Sequence, residues 1–408
     1  MTYSFGGSGR SRSFRGRGGG KTFRRSRPFN NRAPRFQGAY INPSRFINKA
    51  RDVEQTPEFV AQHKFSDFAI SDALKRNISG RGYTTPTPIQ DSVIPLVLEG
   101  KDVIGLANTG TGKTAAFIIP IINWLQIHQK TEAVLIVAPT RELAQQIDEE
   151  FRAFSGNLRL FSALCIGGAS MHRQIMALAR HPHVVIGTPG RLKDLIEQNR
   201  LRLGTSQIFV LDEVDRMLDM GFINDIRFLI GKLPGVKQSL SFSATLNPTI
   251  NRLLQAICHD PVTVSVRTSE TVDTVTQDVI RAGSKEQKIR ILTELLRKQD
   301  FEKVLIFGQT KHGVQHLAEN LTKSGHRAEA IHGNKSQPQR ERALRAFKDN
   351  RVKVLVATDV AARGLDIPNV SHVINFDQPN TYEDYIHRIG RTGRAGKKGQ
   401  ALTFVNSY

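Results

Sequence analysis

Residues 103–114 read Val103-Ile-Gly-Leu-Ala107-Asn-Thr-Gly-Thr-Gly-Lys113-Thr114. Five apolar residues lead into a turn punctuated by Gly110 and Gly112, and an apolar helical stretch begins at Lys113. A strand, a glycine-rich turn and a helix in that order make a phosphate cradle. The glycines let backbone N–H groups turn inward, and the helix N-terminus adds positive potential. Thr109, Gly110, Thr111 and Gly112 form the turn. Lys113 is placed to reach the β- and γ-phosphates of a nucleotide, and the Thr114 hydroxyl to ligate Mg²⁺. Ala107 stands where the strict pattern has glycine, so the loop is a relaxed form of the motif.

Outward from this loop, short apolar runs alternate with amphipathic stretches. The runs at 103–107, 133–138, 160–166, 184–187, 208–211 and 240–243 predict buried strands, with helices between them such as 141–154 and 171–180. The alternation pauses over 261–275, a stretch of Val, Thr and Ser with no helical period. It resumes with strands expected at 303–307, 328–331, 352–357 and 373–376. Strands alternating with helices imply crossover units and mostly parallel sheets. The expected fold class is α/β, with two tandem doubly wound parallel-sheet domains. Its parts are a tail at 1–60, a first domain at 61–267, a linker at 268–276 and a second domain at 277–408. A length of 408 residues suits that division.

Charge is unevenly placed. The net charge is +21, and the first 50 residues hold 12 Lys and Arg and no Asp or Glu, while the other 358 hold 46 against 37. Phe5, Phe14, Phe23, Phe29, Phe36 and Tyr40 are spaced among those arginines. Such a segment buries too little apolar surface to offset its chain entropy, so it reads as disordered. Arginines neutralise phosphates and aromatic rings stack on unpaired bases, so the pattern suits single-stranded nucleic acid. Two cysteines exclude a disulfide framework and point to a reducing, cytoplasmic compartment. The longest apolar run, 115–125, is broken by Pro120 and Asn123 and is far short of the ~20 residues a membrane span needs. The N-terminus lacks the apolar core of a signal peptide.

Two further clusters complete a phosphoryl-transfer site. Asp212-Glu213-Val214-Asp215 follows the expected strand 208–211. Asp212 is placed to hold Mg²⁺ and Glu213 to orient or deprotonate water, the second carboxylate that a phosphate loop needs on a neighbouring strand. Taken singly, such acidic clusters often cap helices. In the second domain, His387-Arg-Ile-Gly-Arg391-Thr-Gly-Arg394 supplies Arg391 and Arg394, positive charge for a γ-phosphate in the transition state. Bringing that charge from another domain makes hydrolysis depend on domain closure.

With these motifs the chain resembles the DEAD-box ATP-dependent RNA helicases, from about Phe65 to the C-terminus. Phe65 followed 17 residues later by Gly82-Tyr-Thr-Thr-Pro-Thr-Pro-Ile-Gln90 is similar to the family's adenine-reading motif. The resemblance implies two RecA-like domains, ATP and Mg²⁺ as cofactors, and RNA as partner. It implies that Gln90 hydrogen-bonds adenine and that Phe65 packs on the ring. Pro139-Thr140-Arg141-Glu-Leu-Ala, Gly167-Gly168 and Thr188-Pro189-Gly190-Arg191 resemble the first-domain RNA contacts. Ser243-Ala-Thr245, with Asp215 and His387, resembles the apparatus that couples ATP state to closure. Ile306-Phe307, Gln337-Pro-Gln-Arg340 and Thr358-Asp-Val-Ala-Ala-Arg363-Gly364-Leu-Asp366 fit the remaining blocks. By that likeness Arg340, Thr358 and Arg363 line the RNA cleft, while Gly364 and Asp366 lie on the nucleotide side, Asp366 at the ribose.

The name-giving motif is DEVD here. Val214 carries two more methyl groups than the family's Ala at a position expected to be buried, which would crowd the neighbouring sheet and disturb coupling through Ser243 and Thr245. The chain ends 14 residues past Arg394, leaving the tail as the candidate for holding substrate outside the core. The implied activity is RNA-stimulated ATP hydrolysis that melts short duplexes locally, by a bacterial-type cytoplasmic monomer acting on RNA with little sequence preference beside RNP or ribosome-associated proteins. An ATP-binding RNA clamp with little hydrolysis is the second reading. A DNA translocase is the third, disfavoured by the 82–90 motif and the form of the 387–394 block.

Overall fold

The structure, a computed structural model, describes residues 41–48, 59–108, 110–233, 235–266, 275–362, 367, 369–393 and 398–406. The tail at 1–40 and the candidate site residues Thr109, Arg363, Gly364, Asp366 and Arg394 lie outside the described residues, as does most of the expected linker.

The first sheet takes its strands from runs of Val, Ile and Leu that can be buried on both faces. They are β1 Val103–Ala107, β2 Val134–Val137, β3 Ser162–Cys165, β4 Val184–Gly187, β5 Ile208–Asp212, β6 Gln238–Ser243 and β7 Val262–Val266. All pairings are parallel, in the order β3-β4-β2-β5-β6-β1-β7. The second sheet holds β8 Val275–Ala282, β9 Val304–Phe307, β10 Ala328–Ile331, β11 Val354–Ala357, β12 His372–Asn375 and β13 Gly399–Asn406, ordered β10-β11-β9-β12-β13-β8 and again all parallel. Helices cover both faces of each sheet, giving two apolar layers per domain. No helix among the described residues is long and apolar enough to cross a membrane.

β7 lies inside the stretch read as a pause, and β8 begins at Val275, within the expected linker. β7 alternates half-buried and exposed residues, and β8 opens with buried and exposed residues in turn, rather than forming an apolar run, so a search for continuous runs passes over them. The same search passes over β13, whose apolar residues are interrupted by exposed Gln400 and by buried Thr403. Residues 41–48, assigned to the disordered tail, are ordered on the second domain, where Phe46 is fully buried. Finally, Asp212 is not on the strand beside the phosphate loop: β6 lies between β1 and β5.

Candidate nucleotide and RNA sites

In an open parallel sheet, ligands bind beyond the carboxyl ends of the strands. β5, β6 and β1 are consecutive in the first sheet and end at Asp212, Ser243 and Ala107, so the acidic cluster, the Ser243–Thr245 turn and the phosphate loop share one stretch of edge. β3, β4 and β2 lie on the other side of β5 and lead into Gly167-Gly168, Thr188–Arg191 and Pro139–Arg141. Strand order alone thus separates the expected nucleotide side from the expected RNA side.

The phosphate loop is tied down from two directions. Lys113, buried at the helix start, donates from Nζ to the Ala107 carbonyl at 2.8 Å. Gln90 donates from its amide to the Gly112 carbonyl at 3.1 Å and accepts from the Thr87 backbone N–H at 3.0 Å. The Thr87 hydroxyl donates to the Thr111 carbonyl at 2.8 Å. Gly112 sits at φ 90°, where a Cβ would collide with the Gln90 side chain. Gln90 therefore holds the loop itself, a contact the sequence reading did not foresee. Phe65 is 5% exposed, its ring edge-to-face with Phe68 and Tyr83. Asp91, next to Gln90, accepts from the backbone N–H groups of Gln62 and His63 and so pins the entry to this segment.

Asp212 ends β5 fully buried, and its Oδ1 has no hydrogen-bond partner among the described residues. Burial pushes its carboxyl up to about 6, with the Glu213 charge in the same direction and Lys113 and Arg216 opposing. Glu213 adopts φ 55°, and its Oε2 accepts from Arg216 Nη1 at 2.8 Å with both side chains buried. Asp215 faces the next strand. Its Oδ2 accepts from the backbone N–H groups of Ala244 at 2.9 Å and Thr245 at 3.1 Å, and from the Thr245 hydroxyl at 3.4 Å. Ser243 Oγ donates to the Thr245 carbonyl at 2.7 Å. Val214 is fully buried, and β5 and β6 stay in register to Asp212 opposite Phe242. The expected crowding does not occur.

On the other side of β5, Arg141 lies across Gly167-Gly168. Gly168 is at φ 77°, and a Cβ there would strike the Arg141 guanidinium. The Thr140 hydroxyl accepts from the Leu143 N–H and caps its helix, whereas the Thr188 side chain makes no such cap. Arg191 is half-buried, with no hydrogen bond at Nε or Nη1 among the described residues and Asp194 Oδ2 3.8 Å from Nε. Arg340, from helix Gln337–Lys348 of the second domain, places Nη2 2.8 Å from Glu142 Oε1, with both side chains largely buried. The contact is one of charge: neither Glu142 oxygen nor Arg340 Nε has an aligned hydrogen bond among the described residues. Burial raises the Glu142 carboxyl above its ordinary range, against the pull of Arg340, and lowers the Arg340 guanidinium. This pair brings the Pro139–Arg141 and Gln337–Arg340 segments together from two domains.

In the second domain, Arg388 is the hub. It donates from Nε and Nη2 to both oxygens of Asp359, at 2.6 and 2.7 Å, and from Nη1 to Asn375 Oδ1 and the Asp377 carbonyl. Thr358, preceding Asp359, accepts from the N–H groups of Ala361 and Ala362 through its carbonyl. Arg391 is buried and donates from Nε to the His387 carbonyl at 3.3 Å. The sequence reading singled out neither Arg388, Arg216 nor Glu142. Arg388 had a signal: it falls three residues after Tyr385 on the apolar face of its helix, where a charge must be paired.

A family model described as DEAD/DEAH box helicase matches residues 87–253, and one described as helicase conserved C-terminal domain matches residues 287–396. The chain is 46% identical to the ATP-dependent RNA helicase CshA of Limosilactobacillus reuteri, over 84% of this chain and 69% of the relative. It is 47% identical to the DEAD-box ATP-dependent RNA helicase CshA of Geobacillus kaustophilus, over 84% and 73%. Among solved structures it is similar to S. cerevisiae Dbp5 bound to RNA and ADP BeF3, with TM-score 0.75, 31% identity and coverage of 84% and 90%. It is also similar to Mss116p bound to ssRNA and AMP-PNP, with TM-score 0.75, 30% identity and coverage of 83% and 73%. Sharing that sequence, that pair of parallel sheets and those strand-end motifs, the chain belongs to the DEAD-box ATP-dependent RNA helicases.

Proposed function

We propose that this helicase binds ATP at the edge formed by β1, β6 and β5 and holds RNA across both domains. ATP binding closes the domains, and hydrolysis reopens them. The observation that carries the reading is the Glu142–Arg340 contact, which joins a first-domain and a second-domain segment on the expected RNA side. A strand bound and bent there cannot keep A-form pairing, so short duplexes melt locally.

For ATP to enter, Lys113 exchanges the Ala107 carbonyl for phosphate oxygens, and Gln90 exchanges its backbone partners for the adenine edge, with Phe65 at the ring. The unpaired Asp212 oxygen and the Thr114 hydroxyl are hard oxygen donors that fit Mg²⁺. That ion, when bound, neutralises charge on the phosphate oxygens. Glu213, oriented by Arg216, takes the proton of the attacking water. Arg391 and Arg394 stabilise the transferring phosphoryl group, and Gly364 and Asp366 serve the ribose side. Asp215 couples the site to the Ser243–Thr245 turn, and His387 belongs to the same coupling. Arg141, Gly168, Arg191, Arg340, Thr358 and Arg363 contact RNA phosphates and sugars, which makes recognition largely independent of sequence. The first domain is assigned to 61–267, and the second to 275–408 together with residues 41–48. We assign the protein to a bacterial-type DEVD subclass, in keeping with its CshA relatives, and to the cytoplasm as a monomer working beside RNP or ribosomal proteins.

Displacement of one strand from short RNA and DNA duplexes of the same sequence tests this. ATP-dependent release from RNA and not from DNA is expected. Release from both would favour a translocase, and ATP binding without release would favour a clamp.

A further inference from the structure

Residues 41–48 precede the first domain in sequence but are built into the second. The Asn42 side chain accepts from the Ser44 N–H and starts the short turn Pro43–Phe46. Phe46 and Ile41 are buried among Val275 of β8, Ala401 and Val405 of β13, and Tyr385 and Ile389 of helix Tyr382–Ile389. The Phe46 and Tyr385 ring centroids are 4.7 Å apart, and the Arg45 guanidinium lies 3.9 Å over the Tyr382 ring. Asn48 exchanges two backbone hydrogen bonds with Gln277, at 3.0 and 2.7 Å, on the free edge of β8. Gln277 Oε1 in turn accepts from the Tyr385 hydroxyl at 2.9 Å.

Helix Tyr382–Ile389 thus has two loaded sides. Tyr382, Tyr385, Ile386 and Ile389 pack on residues 41–48 and the sheet. Arg388 clamps Asp359, and the helix runs directly into Arg391. Phe46 is a wedge between this helix and β8–β13, so it sets how the helix sits on the sheet. A displacement of about 1 Å at a reacting group can cost on the order of a hundredfold in rate.

We propose that Phe46, supported by Arg45, is a positioning residue for ATP hydrolysis. It seats helix Tyr382–Ile389 so that Arg391 is presented to the γ-phosphate. This rests on the role of Arg391 given above.

The test is RNA-stimulated ATP hydrolysis by the full chain. Phe46→Ala should lower kcat about tenfold while ATP KM and RNA affinity stay within about twofold, and Phe46→Leu should recover most of the rate. In an Arg391→Ala background, Phe46→Ala should cost less than about twofold more, since it acts through that arginine. Wild-type kcat in Phe46→Ala, or the full tenfold loss repeated on top of Arg391→Ala, would overturn the proposal. If Phe46→Ala does not fold, Arg45→Ala removes only an exposed cation from Tyr382 and should lower kcat about threefold; an unchanged rate there also overturns it. Wild-type kcat in Arg391→Ala would instead remove the role of Arg391 itself.

Discussion

Asp215 makes the clearest case for a single side chain joining two functions. One carboxylate oxygen gathers the backbone N–H groups of Ala244 and Thr245 and the Thr245 hydroxyl, and the other accepts from the Arg216 N–H. Hydrogen bonds to a charged acceptor are worth about 1.5–3 kcal/mol each, enough to fix the conformation of the turn after β6. Asp212, three residues earlier, faces Lys113 in the nucleotide site. Asp215→Ala should leave ATP binding within about twofold but cut strand displacement about tenfold more than it cuts ATP hydrolysis, since a factor of ten needs only about 1.4 kcal/mol. Parallel assays of displacement and hydrolysis check this, and equal losses in both would remove the coupling role. Glu213 shows the other use of a single residue. Its φ of 55° costs a side chain of this size about 1–3 kcal/mol, and the Arg216 contact holds the carboxylate where that backbone puts it.

At the scale of elements, what the sequence discloses depends on burial. Central strands such as Val103–Ala107 and Val184–Gly187 are unbroken apolar runs because both faces are covered, and their positions follow directly from the pattern. Edge strands such as Val262–Val266 and Val275–Ala282 alternate, and they were missed for that reason. The glycine-rich loop, the acidic cluster and the arginine block carry their chemistry in residue type and spacing, so they too were legible. Partners distant in sequence were not. Glu142 reads as an ordinary acid in the first turn of a helix until Arg340, almost two hundred positions later, is brought against it. The pairing of Gln90 with Gly112 and the seat of Phe46 against Tyr385 are likewise products of the fold. Val214 shows the limit in the other direction. A volume argument predicts crowding, yet the apolar layer around Val214, including Leu106, Leu135 and Leu211, accommodates the side chain with the ladder intact.

At the scale of the whole molecule, charge and closure act together. Residues 1–40 hold ten of the 58 basic residues and no acidic ones, and they precede Ile41, which packs on the second domain. Deleting them, while keeping 41–48, should weaken binding evenly across RNA sequences. It should also flatten the salt dependence by about 0.7 in the log–log slope for each phosphate no longer neutralised. Titrations at several salt concentrations check both effects, and an unchanged slope would mean the tail does not touch RNA. The central claim is that a catalytic nucleotide site responds to RNA held across two domains. The most direct measurement is ATP hydrolysis by the purified chain with and without single-stranded RNA, with Glu213→Gln as control. Strong stimulation by RNA is expected, with a loss on the order of a hundredfold or more in the variant while ATP and RNA binding are retained. Hydrolysis indifferent to RNA, or undiminished in Glu213→Gln, would contradict it.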